Sequence, residues 1–313
     1  MDGLLVVDKP AGPTSHDVVA RVRRALREPR VGHTGTLDPA ATGVLVLVLG
    51  RATRLAQFLT GSDKSYEAVV RLGFSTDTGD AQGRATGVAV NTARSASLAI
   101  DAALNEFRGA FLQQPPAFSA KKINGKRSHK LARARRRDRD DLSPPPLPAP
   151  AAVTAHAITI VSVDGERVTL TVDCSAGFYV RSLAHDLGMR LGVGGHLVAL
   201  RRTRSGDFSL AEALDLDSVE RHPEEARQRV IPMAAILSGL SPVVLTPEGV
   251  RKAIHGRDLG PADVQKGAGP FFKDSQGEGS PVLVRLLDSG GELIGIAGPA
   301  LTPGLLHPSV VLV

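Results

Sequence analysis

The spacing of apolar positions near the start of the chain predicts a helix followed by a buried strand. After a cap at Thr14 or Ser15, apolar residues recur every three to four positions as far as Leu26, and Pro29 ends the pattern. This spacing is typical of an amphipathic helix. The run 42–49, TGVLVLVL, is continuously apolar between glycines and predicts a strand buried on both faces.

Further patterns predict a mixture of strands and helices as far as residue 240. Strands are expected at 66–72, 157–163, 167–174 and 197–204, and helices at 97–107 and 180–187. Asp164-Gly165 stands between two alternating segments and is a strong hairpin signal. Residues 74–87 are polar and glycine-rich, which predicts a loop, and two weaker helical segments are expected to end near Leu240.

Composition changes along the chain suggest two domains and an arm. Residues 119–141 are basic with little apolar surface, and 143–150 contain five prolines. We therefore expect a mobile arm at about 119–150, its second half a stiff linker, outside the packed core. Beyond it, short strands with glycine and proline between them are expected at 243–245, 282–287, 293–297 and 310–313. This pattern predicts one domain over 1–240 and a small β-rich domain over 241–313.

The overall composition is that of a folded protein in a reducing compartment. Of 313 residues, 42% are hydrophobic and 22% charged, which excludes disorder throughout the chain. Cys174 is the single cysteine, so neither an intramolecular disulfide nor a multi-thiolate metal site is expected. No run approaches the ~20 apolar residues of a membrane span, and the N-terminus lacks a signal-peptide pattern. A cytoplasmic protein without a membrane partner is the expectation.

Clustered positive charge favours a polyanionic partner. The chain has 38 Lys and Arg against 32 Asp and Glu, a net charge of +6. Five arginines lie in 21–30, ten Lys or Arg lie in 121–141, and a third cluster is Arg201-Arg202-Thr203-Arg204. One such run is most often a solvated surface, but three on a basic chain favour nucleic acid.

The segment 32–43, GHTGTLDPAATG, concentrates the candidate chemistry. Three glycines and an Asp-Pro pair describe a tightly folded loop that would fix its side chains through the backbone. Taken alone, Asp38 could be a nucleophile, a metal ligand or, most commonly, simply the first residue of an Asp-Pro turn. The segment does not contain the phosphate-binding Gly-x4-Gly-Lys-Ser/Thr pattern.

The tyrosines and histidines narrow the choice of chemistry. Tyr66 and Tyr179 are the two tyrosines of the chain, and each could be an interior residue with a bonded hydroxyl. The nine histidines show no spacing suited to a metal, so no metal site is expected. The sequence does not contain the Gly-x-Ser-x-Gly turn that would support a serine nucleophile.

Six segments resemble, in order, the motifs of the TruB family of tRNA pseudouridine synthases. They are LLVVDKPAGPTS (4–15), GHTGTLDPAATGVL (32–45), DKSY (63–66), TDTGD (76–80), QPPAFSA (114–120) and GFYVR (177–181). Together with the strand ending at Arg204, the resemblance covers about residues 4–204. It implies an α+β fold, with a mixed and largely antiparallel pseudouridine-synthase sheet flanked by helices and loops. Residues 241–313 resemble, more loosely, the RNA-binding PUA domain attached to this family.

The resemblance implies a reaction and its central residues. Family members isomerise the uridine of the TΨC loop, uridine 55 of tRNA, to pseudouridine after flipping the base. Asp38 would be the nucleophile, Arg181 its ion-pair partner, and Tyr66 the residue that stacks on the uracil and handles the proton at C5. An adjacent guanidinium would keep the carboxylate ionised and oriented. Neither a cofactor nor a metal is required for such an isomerisation.

The remaining implied residues would bind substrate or support the site. Tyr179 and Leu200 would line the base pocket, and His33 would occupy the space that the flipped base leaves in the RNA stack. Lys9 and Lys64 would support the site from nearby.

The arm is expected to contact the RNA backbone, and the T-arm of tRNA is the expected partner of a monomer. Lys121, Lys122, Lys126 and Arg127 are the expected phosphate contacts. The family usually has an aromatic residue before an Ala-Arg pair in this region, where this chain has SHKLAR at 128–133.

Two other functions stay open at this point. One is an RNA-binding scaffold or tRNA chaperone that uses the same surface without catalysis. The other is a phosphotransferase with an Asp nucleophile, for which Asp77 and Asp80 would have to bind Mg²⁺ near Asp38. Their glycine-rich setting is more often a plain turn.

Overall fold

Two β-sheets organise the chain. The computed structural model describes residues 1–87, 89–90, 97–137, 146–267 and 283–313, without the side chains of 97, 98, 136 and 137. The helices are α1 (Ser15–Leu26), α2 (Ala56–Thr60), α3 (Ser97–Leu104), α4 (Ser128–Arg137), α5 (Val180–Arg190), α6 (Leu216–Arg221), α7 (Pro223–Gln228) and α8 (Pro247–Ile254). The strands are β1 (Gly3–Lys9), β2 (Val31–His33), β3 (Thr42–Leu49), β4 (Lys64–Leu72), β5 (Ser75–Thr76), β6 (Ala85–Thr86), β7 (Gly109–Gln113), β8 (Lys122–Ile123), β9 (Lys126–Arg127), β10 (Ala151–Asp164), β11 (Arg167–Cys174), β12 (Gly195–Ser205), β13 (Phe208–Ser209), β14 (Leu214–Asp215), β15 (Ile231–Pro232), β16 (Ser241–Leu245), β17 (Val264–Lys266), β18 (Val284–Leu287), β19 (Leu293–Pro299) and β20 (Leu306–Val311).

The larger sheet carries the elements around Asp38. Its main path runs β14-β1-β3-β12-β4-β11-β10-β7, and β2, β13 and β15 pair beside it. The pairs β1 with β14 and β12 with β3 are parallel, whereas the other pairs of this sheet are antiparallel. The prediction of a mixed, largely antiparallel α+β sheet is therefore confirmed.

The apolar patterns of the sequence correspond to the packing of this sheet. Strand β3 is buried along its length after Thr42, as predicted, because helices and the second sheet cover its two faces. Helix α1 packs its apolar side on one face and begins at a capping box between Thr14 and Asp17. The predicted hairpin at Asp164 joins β10 and β11, and the alternate residues of β11 from Val168 to Cys174 are buried against α5 and its neighbours.

The arm contains more regular structure than the sequence pattern predicts. A short hairpin, β8 with β9, leads directly into α4, where Ser128 and Ala132 are buried. The pattern missed this helix because its sequence, SHKLARARRR, is dominated by cations and offers few apolar positions for periodicity. Residues 138–145 of the arm and linker lie outside the described residues.

Other differences are local. The loop predicted at 74–87 includes the small β5–β6 pair, and the second weak helical segment ends at Gln228 instead of near Leu240. The sequence patterns did not predict α8 or β17, because the apolar segments there are short and bounded by proline or glycine. The predicted strand at 282–287 is described from Val284, and Val282 lies outside the described residues.

The second sheet packs directly on the first domain. Its order is β17-β16-β18-β19-β20, and it encloses its own apolar cluster. Leu293, Ile296 and Leu312 belong instead to a cluster shared with β1 and β3. Arg285 also donates to the carbonyls of Leu240, at 3.0 Å, and Ala234, at 2.9 Å. The division into domains at residue 240 stays a prediction. Across the described part of the chain, no helix combines the length and apolar character needed to cross a membrane.

We expect Ile296→Ala to destabilise the whole protein, because Ile296 is fully buried in the cluster shared by both sheets. Loss of a buried isoleucine side chain leaves a cavity and typically reduces the free energy of unfolding by about 2–5 kcal/mol. Urea unfolding followed by circular dichroism measures this loss. Leu301→Ala is the control, since Leu301 is fully exposed and its truncation should change stability by less than about 0.5 kcal/mol. Equal stability of the two variants would contradict direct packing between the sheets.

Candidate active site

The loop between β2 and β3 presents Asp38, and buried donors hold its backbone. Ser15, at the start of α1, donates to the Leu37 carbonyl at 3.1 Å and accepts from the Leu37 amide at 2.9 Å. On the other side of Asp38, the Lys9 ammonium donates to the carbonyls of Pro39, at 3.1 Å, and Ala41, at 2.7 Å. The backbone on either side of Asp38 is thereby fixed.

Lys9 contacts the loop from inside the protein. It is fully buried, and burial lowers the pKa of its ammonium group to about 8, although the nearby Asp38 carboxylate favours the charged form. Its third contact is the Pro10 carbonyl at 2.9 Å. The expected supporting role of Lys9 thus takes the form of hydrogen bonds to backbone carbonyls.

Arg202 binds the first half of the same loop. The side chain is buried and donates to the carbonyls of Val44 at 2.7 Å, Gly35 at 3.0 Å and Thr36 at 3.4 Å. The loop can approach this closely because Gly43 has a φ of +101°, and a Cβ there would lie 2.2 Å from the Arg202 carbonyl oxygen. Any side chain at position 43 would push the loop away from β12.

The arginines of the third basic cluster bond to neighbouring segments of the protein, which the charge pattern did not predict. Arg201 pairs with Asp8 at 2.6 Å, and Arg204 donates to the Ser65 hydroxyl at 2.9 Å. With Arg202 buried, all three guanidinium groups have partners on neighbouring segments. The sequence could not show this, because its arginine run looks the same whether it faces solvent or the protein.

Asp38 and Arg181, 143 positions apart in the sequence, form a two-point ion pair. The Arg181 Nε lies 2.9 Å from Asp38 Oδ2, and Nη2 lies 3.4 Å from Oδ1. The Arg181 side chain is 7% exposed, whereas that of Asp38 is 41% exposed. A fork of this kind orients the carboxylate while leaving it open to a ligand.

Arg181 is itself held by the backbone of two other segments. Its Nη1 donates to the Thr78 carbonyl at 3.1 Å, and its Nη2 donates to the Phe118 carbonyl at 2.8 Å. Asp80 lies at the edge of ion-pair range, 3.9 Å from Nη1. Carbonyl contacts of this type leave no signature in the sequence, since any residue can supply them.

A cleft opens beside the ion pair. Asp38, Arg181 and Leu200 line it together with Ala40, Ala41, Asp80, Ala81, Gln82, Leu197, Val198 and Ala199. The structure therefore brings Asp38, Arg181 and Leu200 to one cavity, as the resemblance implies. Gln82 is a lining residue that the sequence analysis did not assign to the site, and Asp80 was considered there only as a candidate Mg²⁺ ligand of the phosphotransferase alternative.

Tyr66 and Tyr179 both lie near this ion pair. Burial raises the pKa of the Tyr66 phenol, and the adjacent Arg202 guanidinium opposes that rise while Asp38 adds to it. Burial also raises the pKa of Tyr179, which lies close enough to Arg181 and Asp38 to sense both charges. Gln113 fixes the Tyr179 backbone with two hydrogen bonds, at 2.8 and 3.0 Å. Both phenols are therefore held in the neutral form at pH 7.

Burial affects Lys64 and His33 in the same direction, since it lowers the pKa of each. The Lys64 ammonium donates to the carbonyls of Thr60, at 2.8 Å, and Ser62. Burial and the Arg202 charge lower the pKa of Lys64 to about 8. His33 packs edge-on against His16 with ring centres 5.3 Å apart, and its Nδ1 is buried without a hydrogen-bond partner. Burial lowers the pKa of His33 to about 4, so its ring is neutral at pH 7.

Asp77 and Asp80 serve the turn between β5 and β6. Asp77 accepts from the Arg84 amide at 2.7 Å, and Asp80 accepts from the Thr78 hydroxyl at 2.6 Å and the Gln82 amide at 3.0 Å. Among the residues that the structure describes, no group of three or more His, Cys, Asp or Glu side chains is placed to hold a metal ion. The phosphotransferase alternative therefore lacks a supporting observation.

The base of the arm is bonded to the segment that holds Arg181. Ser128 donates from its hydroxyl to the Ala117 carbonyl at 2.6 Å, and the His129 amide donates to the Ser119 carbonyl at 3.1 Å. Phe118, between these two acceptors, supplies its carbonyl to Arg181. The arm cations Lys121, Lys122, Lys126 and Arg127 are exposed, and none forms an ion pair with another described residue.

Known proteins share this sequence and fold. Residues 23–180 match the TruB family pseudouridylate synthase N-terminal domain, and residues 181–238 match the tRNA pseudouridylate synthase B C-terminal domain. The chain is 41% identical to tRNA pseudouridine synthase B of Solibacter usitatus over the full length of both chains. It is 44% identical to tRNA pseudouridine synthase B of Mycobacterium sp. (strain KMS), over 84% of this chain and 86% of the relative.

Solved structures agree with the sequence matches. A chain of an H/ACA RNP bound to a substrate RNA containing 2′-deoxyuridine superposes with a TM-score of 0.72 at 25% identity, covering 99% of this chain and 85% of that one. A chain of a Cbf5-Nop10-Gar1 complex gives a TM-score of 0.71 at 28% identity, with the same coverage. The fold is that of the pseudouridylate synthases, a class of isomerases. Within this class, the chain belongs to the TruB family.

We expect the stability of the protein to fall between pH 6.5 and pH 4 because of His33. Its pKa is about 4 in the folded protein, against 6.5 for a histidine free of such burial, so the unfolded chain binds the proton first as the pH is lowered. One such proton changes the free energy of unfolding by up to about 1.4 kcal/mol per pH unit. His33→Gln should reduce this loss, as measured by thermal unfolding at pH 7.5 and 5. His156→Gln, at an exposed histidine 3.1 Å from Asp63, is the control. An unchanged pH dependence in His33→Gln would contradict the burial of a neutral ring.

Proposed function

We propose that this chain isomerises uridine 55, in the TΨC loop of tRNA, to pseudouridine, with Asp38 as the nucleophile. The observation that carries the proposal is the Asp38–Arg181 pair, in which a buried guanidinium orients a carboxylate that is open to a cleft. The names of the bacterial relatives support tRNA as the substrate. Because tRNA is matured inside the cell, the proposed location is the cytoplasm. The proposal also takes the protein to be a monomer that binds the T-arm.

The reaction requires the uridine to leave the RNA stack. Asp38 lies in a cleft of side chains and backbone that a base within a helix could not enter, so the nucleotide must be extruded. Unstacking costs a few kcal/mol, and contacts with Tyr66, Tyr179 and Leu200 would offset it. His33, neutral and at the edge of the loop, is suited to fill the vacated space because an uncharged ring stacks on bases without losing hydration of a charge.

The isomerisation balances without a further reactant. The bond between C1′ and N1 breaks, the uracil turns, and C5 bonds to C1′. The proton on C5 is then removed, and N1 gains one. Asp38 would form a transient covalent bond, either to C6 of the base or to C1′ of the sugar. Tyr66, held neutral near Asp38, is the candidate to handle the C5 proton, and Arg181 orients the carboxylate.

The arm would deliver phosphate contacts to this site. Lys121, Lys122, Lys126 and Arg127 are exposed and lie on or directly before the β8–β9 hairpin, so their charges are free to neutralise RNA phosphates. The C-terminal sheet is the second candidate contact, as a PUA-like RNA-binding domain. An RNA chaperone that binds tRNA in the same way without catalysis is the alternative function.

We expect Asp38→Asn to abolish pseudouridine formation on an unmodified tRNA transcript, because an amide cannot act as the nucleophile. Dissociation constants for tRNA should change by less than about tenfold, or ~1.4 kcal/mol, since the exposed carboxylate is one contact of many. Product is measured in the presence of EDTA, which also tests the Mg²⁺-dependent phosphotransferase alternative.

Asp101→Asn is the matched control, because Asp101, on α3, is an exposed carboxylate that pairs with Arg108. It should retain full activity. Residual activity of Asp38→Asn above a few per cent would rule out the nucleophile. A wild-type protein that binds tRNA but forms no product would favour the chaperone.

We expect replacement of the four arm cations by alanine to weaken tRNA binding and flatten its salt dependence. The residues are Lys121, Lys122, Lys126 and Arg127. Each lost phosphate contact should reduce the slope of log affinity against log salt by roughly 0.7–0.9, which gives up to about 3 for the four. The single-turnover rate at saturating tRNA should change little, because the cleft is left intact.

The basic end of α1 provides the comparison. Arg24, Arg27 and Arg30 are exposed and are replaced by alanine in a second variant. If the arm variant keeps the wild-type salt slope and the α1 variant lowers it, RNA binding by the arm is refuted and the phosphate contacts lie on α1.

A further inference from the structure

Arg202 is a buried cation without an anionic partner. Its side chain is 2% exposed, and it forms no ion pair with any other described residue. Two further buried cations, Lys9 and Lys64, are close enough to influence or sense its charge. Burial of an uncompensated charge is unfavourable, and a cluster of like charges adds to the penalty. A purely stabilising role would be better served by an apolar side chain of the same volume.

The contacts of Arg202 converge on the loop that carries Asp38. The guanidinium donates to the Gly35 and Thr36 carbonyls, three and two positions before Asp38, and Nε donates to the Val44 carbonyl after the loop. Gly35 packs closely enough that an added Cβ would lie 3.5 Å from the Arg202 Nη1. One rigid, planar group thus ties both ends of the loop to β12.

The same side chain also faces Tyr66. Arg202 and Tyr66 are directly opposite on the antiparallel strands β12 and β4, where Cβ atoms are about 4.5–5.5 Å apart. The next pair along these strands, Arg204 with Ser65, lies on the opposite face of the sheet, away from the loop. Arg202 is therefore the residue of β12 that touches the Asp38 loop on one side and Tyr66 on the other.

We propose that Arg202 is a positioning residue that sets the separation between the Asp38 loop and the Tyr66 hydroxyl. This inference rests on the proposed function, in which Asp38 attacks the nucleotide and Tyr66 handles the C5 proton. A shift of about 1 Å between two such groups is enough to reduce a rate about 100-fold. Arg202 itself cannot reach the RNA, since its side chain is closed off from solvent.

The test compares Arg202→Lys, Arg202→Met and Arg204→Lys in single-turnover assays at saturating tRNA. Lysine keeps the charge but cannot span three carbonyls, and methionine removes the charge. Arg204→Lys is the matched control on the same strand. We expect both Arg202 variants to lose at least about 100-fold in rate with tRNA dissociation constants within about threefold of wild type, and the control to stay within about threefold on both measures.

A spectroscopic readout separates positioning from simple loosening of the fold. The chain has two tyrosines and no tryptophan, so in a Tyr179→Phe background the tyrosinate absorbance reports Tyr66 alone. Removal of the Arg202 charge by Arg202→Met should lower the ionised fraction of Tyr66 at pH 11. A loosened site would expose the phenol and raise that fraction.

Wild-type rates in both Arg202 variants, or an ionised fraction in Arg202→Met equal to or above that of its parent, would overturn the inference. Absence of product with the wild-type protein would instead refute the proposed function.

Discussion

A buried guanidinium must satisfy its donors, and Arg181 does so by joining three remote segments at one point. Its hydrogen bonds to the Thr78 and Phe118 carbonyls leave one side of the fork for Asp38. The cleft exists because the turn after β5, the segment before the arm and the loop before β3 all meet on this side chain. Loss of any one segment would leave a buried donor unpaired, which is the most expensive state for a polar group in a protein interior.

The sequence predicted the parts of the fold that depend on side-chain pattern. Strand β3 is continuously apolar because both of its faces are buried. Strand β11 alternates because one face is buried, and α1 has helical periodicity because one stripe of it is buried. The resemblance brought Asp38 and Arg181 to attention, and the structure places them in contact. What could not be predicted are contacts made by backbone atoms, such as the carbonyls that bind Lys9 and Arg202, because they carry no residue identity. Helix α4 was missed for a related reason, as its few buried positions are small residues between cations.

The arm and the cleft are connected through a short stretch of backbone. Ser128 and His129 stand at the start of α4, and their hydrogen bonds end on the Ala117 and Ser119 carbonyls. The intervening Phe118 carbonyl is a ligand of Arg181. A change in the position of α4 would therefore act on the group that aligns the carboxylate.

The apolar cluster shared by the two sheets limits how the C-terminal sheet can be lost or exchanged in evolution. A domain attached by a flexible linker can be gained by gene fusion and removed again with little effect on its neighbour. Here Leu293, Ile296 and Leu312 complete a cluster whose other buried members belong to β1, β3, the segment after β3 and residues 233–236. A lineage that discarded this sheet would first have to replace several buried residues on the outer face of the larger sheet with polar ones. Substitutions at the contact between the two sheets are therefore expected to be correlated across relatives.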